Sequence, residues 1–214
     1  MINGHQISKV SNCKYLGVFI DDSFNWNVHI DYVHSKLMKF TSLFYKLRTF
    51  VPKPCLSKLY YAFVYPHIKY GVEVYANCAK LALDKLNKLN NKILRILLDK
   101  NYETPNIELY KSFNVLPIPL PHEMNLLEII RKYHFHKHLL PEIFQHYFIP
   151  NNFVHQHHTR NKLNLHISAV NSNVGQRCFL YRGCKLWNDL PSHLKCSSST
   201  SCFKTNIKHY LLWR

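Results

Sequence analysis

Acidic residues are scarce in this sequence. The 214 residues include 12 Asp and Glu against 28 Lys and Arg, which gives a formal net charge of +16 and a pI near 9.6. An excess of this size argues against cationic partners and favours a polyanion, with nucleic acid ahead of a membrane surface. A basic surface that serves only solubility is the competing interpretation.

Long apolar runs are also missing. No run approaches the roughly 18 apolar residues of a membrane span, and the opening stretch "MINGHQISKV" has no apolar core of the signal-peptide type. The seven cysteines are scattered and odd in number, which favours reduced thiols over a disulfide framework. These absences predict no membrane partner and a location inside the cell, in the cytoplasm or nucleus.

Common enzyme motifs are absent as well: the sequence has no nucleophile elbow, P-loop or HExxH. Zinc ligation was considered for two sets of residues. His134 and His138 are four apart on a predicted helix, and histidines on a basic solvated face explain them as well. The series Cys178, Cys184, His193 and Cys196 lacks the tight spacing of a zinc knuckle. The sequence therefore predicts no cofactor and no metal site.

The residues that are present predict a mainly α fold, a helical bundle with a short N-terminal β-ribbon. Asn3-Gly4 is a common hairpin pair, and "KYLGVFI" has the character of a short apolar strand. Apolar residues at helical spacing then predict amphipathic helices from Asn25 to about Pro52, across "LSKLYYAFVYPHIKYGVEVY" with a break at Pro66, and across "AKLALDKLNKLNNKILRILL". Further helices follow beyond Thr104, and a short strand or extended segment is expected near 163–169 because its apolar residues alternate.

Basic residues follow the apolar faces of two of these helices at the same spacing. Between Ser23 and Leu98 the sequence has twelve Lys and Arg against three acids. A surface meant only for solubility usually mixes the two signs. The sequence therefore predicts contacts with nucleic-acid phosphates by Lys36, Lys39, Lys46, Lys85, Lys88, Lys92 and Arg95.

The stretch Phe19-Ile20-Asp21-Asp22 has the form of a polymerase metal-binding pair. Such a site holds two divalent ions with several carboxylates, and Asp21 is the first acid in the sequence. The pair is also followed by a predicted helix rather than by a return strand. The interpretation favoured here is structural: the two aspartates cap the incoming helix or its turn.

The order of several segments resembles a known family. "KYLGVFIDDSFNWNVHI", "KLMKFTSLFYKLR", "LYYAFVYPHIKYGVEVY" and "LNKLNNKILRIL" resemble the region downstream of the polymerase palm in reverse transcriptases of non-LTR (LINE-type) retrotransposons. "HTR" at 158–160, "GCKLWNDLP" at 183–191 and "SCFKTNIKHYLL" at 201–212 resemble the C-terminal tail of the same reading frames.

This resemblance implies a C-terminal fragment of such an enzyme: a remnant of the palm sheet at 1–22, a thumb-like helical bundle at 23–100 and a helical C-terminal region at 101–214. It implies that Mg²⁺ serves only the full-length parent, that Arg160 joins the nucleic-acid contacts and that the fragment does not polymerise DNA by itself. Two alternatives stay open: a non-catalytic helical protein-interaction module, or an inert retroelement relic.

Overall fold

The computed structural model describes residues 8–154, 164–197 and 199–214, and it confirms the mainly α fold with a short N-terminal ribbon. Its contacts divide the chain into two compact units, the first ending at Ile118 and the second beginning at Pro119. The helix Asn106–Phe113 packs on the helix that precedes it, within the first unit.

The ribbon is an antiparallel hairpin of β1 (Asn12–Tyr15) and β2 (Val18–Asp21). Its turn lies at Leu16 and Gly17, both with positive φ, so the predicted single strand "KYLGVFI" is wrong. Gly17 suits this left-handed position because it has no Cβ, and one placed there would meet the Tyr70 ring at 3.1 Å. The predicted turn at Asn3-Gly4 falls outside the described residues.

The core of the first unit forms around two long helices, α1 (Asn27–Leu47) and α5 (Lys80–Leu98), which pack against each other. Between them lie the shorter helices α2 (Lys53–Phe63), α3 (Tyr65–Lys69) and α4 (Val72–Tyr75). The predicted break near Pro66 is confirmed. Proline tolerates the first turn of a helix, where its missing N–H would have no partner, and here it stands in the first turn of α3.

A buried hydrogen-bond chain joins α2, α5 and α6 (Asn106–Phe113) inside this unit. The Tyr60 hydroxyl donates to Asn90 Oδ1 at 3.0 Å, and Asn90 Nδ2 donates to the Tyr110 hydroxyl at 3.4 Å. Asn90 and Tyr60 are essentially inaccessible to solvent. Because a buried amide without partners is costly, this chain fixes the register of the three helices.

The second unit is built around three helices, α7 (Leu120–Phe135), α11 (Phe179–Asp189) and α13 (Thr200–Trp213). Short helical segments connect them: a 3-10 turn at Lys137–Leu139, α8 (Glu142–Gln145), α9 (Asn151–Val154), α10 (Asn173–Gln176) and α12 (Ser192–Lys195). A serine caps the start of α13, since the Ser199 hydroxyl accepts from the Cys202 N–H at 3.1 Å.

In the described residues 164–169, the strand or extended segment expected near 163–169 is limited to a single pairing. These residues contain one isolated bridge, between Leu165 and Pro150, and no ladder. Leu165 is instead buried, and its backbone N–H and C=O both pair with the Asn188 side chain of α11, at 2.9 and 2.8 Å. The Asn188 amide thus serves one edge of this segment, while the His166 N–H donates to the Ile149 carbonyl and the Asn164 carbonyl accepts from the Asn151 N–H on the other edge.

Candidate nucleic-acid interface

The two long helices that carry the predicted basic residues run parallel and side by side. Near their starts, Lys85 of α5 pairs with Asp31 of α1 at 2.5 Å. At their ends, Arg48 pairs with Asp99 at 3.3 Å. These two ion pairs fix which edge of α1 faces which edge of α5, so the positions of the other lysines can be derived from helical geometry.

Two of the predicted contacts on α5 are occupied within the chain. Lys85 is neutralised by Asp31. Arg95 donates to the Asn106 side chain at 2.7 Å and to the Thr104 carbonyl at 3.2 Å, and its guanidinium lies 5.2 Å from the centre of the Tyr102 ring. Arg95 therefore holds the loop between α5 and α6, a role that the spacing alone does not indicate.

Four of the predicted lysines are exposed, and their ammonium groups have no hydrogen bond or ion pair with any residue in the described ranges. Lys88 and Lys92 continue from Lys85 along the same edge of α5. Helical geometry places Lys39 and Lys46 about 80° and 60° around α1 from Asp31, on the outer side of the helix, away from the buried residues Ile30, Leu37 and Phe44. We name this set the α1–α5 basic face: Lys39, Lys46, Lys88 and Lys92.

Lys36 points elsewhere. It lies about 140° around α1 from Asp31, and its ammonium sits 5.4 Å from the centre of the Tyr32 ring. Lys14 of the hairpin approaches the same ring at 5.3 Å. Sequence reasoning missed Lys14, because the contact depends on how the hairpin packs on α1, and nothing local in the sequence signals that. Arg160, the remaining predicted contact, lies outside the described residues.

The local charge of the α1–α5 basic face is positive. Asp31 and Asp99 are each paired with a cation, as above. Asp84 stands one turn before Lys88 without an ion pair to it in the described part of the chain. Burial, with Lys85 beside it, lowers the pKa of His34, so this histidine adds little charge at neutral pH. The arrangement presents four ammonium groups without ion pairs in the described residues, and ammonium groups of this kind contact phosphates.

The aspartate pair of the FIDD stretch has a structural role. Asp21 is 7% exposed, and its carboxylate accepts the backbone N–H groups of Ser23, Asn25 and Trp26 at 3.2, 3.0 and 2.8 Å. These bonds hold the turn between β2 and α1, in which Phe24 and Trp26 take left-handed conformations. The prediction that Asp21 caps the turn is confirmed. Two of these bonds go to Oδ1 and one to Oδ2.

The residues considered for zinc are dispersed or packed. His134 stacks on Trp187 at 4.9 Å between ring centres, and Trp187 is buried in the core of the second unit. Burial raises the pKa of the Cys184 thiol to about 12, so it stays protonated at neutral pH. Within the described ranges, no group of three or more His, Cys, Asp or Glu side chains is placed to hold a metal ion. Those ranges also contain no helix with the length and apolar character needed to cross a bilayer.

Comparison with known proteins gives one informative result. The chain is 33% identical over 97 residues to the RNA-directed DNA polymerase from mobile element jockey of Drosophila funebris. This match covers 44% of the chain but 11% of the relative. No family model matches the chain, and no solved structure matches it. Over part of its length, therefore, the chain is similar to a retrotransposon RNA-directed DNA polymerase, in agreement with the resemblance seen in its segments.

Proposed function

We propose that this chain is the C-terminal part of a non-LTR retrotransposon reverse transcriptase, and that it holds primer–template nucleic acid without polymerising it. In this assignment, residues 1–22 are the end of the palm, 23–100 a thumb-like bundle and 101–214 the C-terminal region. The observation that carries the binding role is the α1–α5 basic face, four exposed lysines on two parallel helices without carboxylate partners in the described residues.

The chemistry of this face suits a duplex rather than a small ligand. Lysine ammonium groups on a convex helical surface contact phosphates along a backbone and do not read base edges. The expected partner is an RNA–DNA or other duplex bound without sequence preference. Lys85 and Arg95 contribute less than the spacing predicted, since each already has an internal partner.

Charge reversal of the free lysines tests the binding role. Lys88→Glu with Lys92→Glu should weaken binding of a fluorescein-labelled 20-base-pair RNA–DNA duplex roughly ten- to hundredfold in fluorescence anisotropy at 0.1 M salt. Lys58→Glu with Lys69→Glu makes the same change in net charge at exposed positions of α2 and α3. Equal effects of the two double variants would show that net charge alone drives binding, and the assigned face would be wrong.

The absence of polymerisation is tested separately with primed poly(rA), dTTP and Mg²⁺ or Mn²⁺. We expect no primer extension by the chain alone. In this proposal Mg²⁺ acts only in the full-length parent enzyme, because Asp21 uses both of its oxygens to bind backbone amides. Extension that is lost in Asp21→Asn would contradict the proposal and restore the catalytic interpretation of the FIDD stretch.

A further inference from the structure

The second unit carries an open groove with a volume of about 430 Å³ between α12 and α13. Its lining combines aromatic rings with groups that are cationic or can donate hydrogen bonds. These include His193, His209, Trp213 and Arg214. The volume lies in the range of small-molecule sites.

Trp213 is the unusual member of this lining. Its side chain is 61% exposed, whereas Trp187 in the same unit is 4% exposed and serves the core. The indole stacks on the imidazole of His209, with 5.6 Å between ring centres and 24° between ring planes. This contact orients the indole at the end of α13 while leaving most of its surface open to solvent.

Among the described residues, the lining of the groove contains no Asp or Glu, and Arg214 supplies a guanidinium cation. Neither α12 nor α13 contains an Asp or Glu, while together they carry three lysines and two histidines, and Arg214 follows. Lys204 is paired with Glu128 of α7, and the groove lies on a different part of α13. An exposed aromatic platform beside cations is the combination that binds unpaired bases and their phosphates.

We propose that this groove binds single-stranded nucleic acid, with one base stacked on Trp213 and the adjoining phosphates near His193, His209 and Arg214. A duplex does not suit the groove, because its bases are stacked on each other and present no free face to an indole. The inference goes beyond the proposed function: it concerns the other unit, a different form of nucleic acid and a different set of contacts.

The test uses the full chain and a labelled twelve-nucleotide oligo(U). Trp213→Leu should weaken oligo(U) binding about 5- to 100-fold, because stacking on an aromatic ring is lost, whereas Trp213→Phe should retain most of the affinity. The 79%-exposed Phe153 provides a matched control in the same unit, and Phe153→Leu should leave binding unchanged. Circular dichroism verifies that the variants keep their helices.

Equal affinity of the Leu and Phe variants for oligo(U) would overturn the proposal. So would binding of a twelve-residue poly-glutamate peptide that depends on Trp213 while oligo(U) binding does not, since the groove would then be a site for acidic peptides. The comparison is independent of the α1–α5 basic face, which both variants retain. If the α1–α5 basic face proves not to bind duplex, while Trp213→Phe and Trp213→Leu still differ in affinity for oligo(U), the proposed function is refuted and the groove proposal stands.

Discussion

Asp21 belongs to a stretch that looks like a polymerase metal-binding pair, but its side chain has a structural role. Its carboxylate accepts three backbone N–H groups in a turn where Phe24 and Trp26 take conformations that cost energy for non-glycine residues. Asp21→Asn replaces one acceptor oxygen by a donor, and we expect a loss of about 1–3 kcal/mol in the free energy of unfolding. Urea unfolding followed by circular dichroism measures it.

The neighbouring aspartate provides the control for this prediction. Asp22 is exposed, and within the described part of the chain its carboxylate accepts only from the Ser23 hydroxyl, at 3.1 Å. Asp22→Asn should change stability by no more than about 0.5 kcal/mol. Equal effects of the two substitutions would mean that the three backbone contacts do not stabilise the turn.

His122 makes stability depend on pH. It is 2% exposed, and neither ring nitrogen has a hydrogen-bond partner in the described structure. Burial, with a smaller contribution from the Arg182 charge, lowers its pKa from 6.5 to about 4. The unfolded chain therefore binds this proton more readily, so stability falls as pH drops from about 6.5 towards 4 and the loss is complete below that range.

The contribution of His122 to the loss between pH 7 and pH 5 should be about 2 kcal/mol. His122→Leu, which has nearly the same volume and cannot be protonated, should lose correspondingly less stability over that interval in urea unfolding. His138→Leu, at an exposed position, should retain the wild-type pH dependence. A wild-type slope in His122→Leu would show that other groups produce the acid sensitivity.

At the scale of secondary-structure elements, Arg131 ties two helices of the second unit together. It is 4% exposed on α7, and it donates to the Thr200 hydroxyl and to the Ser197 carbonyl, both at 3.0 Å. Its guanidinium also lies 5.2 Å from the centre of the Phe203 ring. The two hydrogen bonds and the ring contact use the flat, forked guanidinium group, and the ammonium group of lysine cannot replace it.

Arg131→Lys should therefore destabilise the chain by about 2–3 kcal/mol despite keeping the charge. Its neighbour Lys132 is exposed, and Lys132→Arg should be close to neutral, which makes it the matched control. Thermal unfolding of the two variants separates these expectations. A stable Arg131→Lys variant would indicate that the hydrogen bonds to the start of α13 contribute little.

Most of the helices could be predicted from the sequence, because their apolar residues repeat at helical spacing and their ends carry proline or serine signals. The hairpin turn could not be placed, since Leu16 takes a left-handed conformation that its residue type does not favour. In its described residues the segment near 163–169 is limited to a single pairing, and Asn188, 23 residues away, satisfies the backbone of Leu165.

The candidate site was predicted only in part for a similar reason. Helical spacing identified the exposed lysines of α1 and α5. It gave no sign that Lys85 would meet Asp31, 54 residues earlier in the chain, or that Arg95 would bind the loop before α6. Such pairings depend on tertiary packing. Because of them, the face has the charge of four lysines and not that of all the basic residues that the spacing predicted.

At the scale of the whole molecule, we propose that this strongly basic chain holds a nucleic-acid backbone with the α1–α5 basic face. Its net charge of +16 would attract any polyanion, so affinity at low salt does not distinguish this claim from general attraction. The number of counterions released on binding does distinguish them, because it counts the phosphates that are contacted.

The most direct measurement is the slope of log K against log salt for a duplex of fixed length, in wild type and in two double variants. Four contacts from the α1–α5 basic face predict a wild-type slope near −3 to −4, at roughly −0.9 per contact. Lys88→Glu with Lys92→Glu should reduce its magnitude by about 2, and Lys58→Glu with Lys69→Glu should leave it unchanged. A slope that responds equally to both, or to neither, would contradict the assignment of this face.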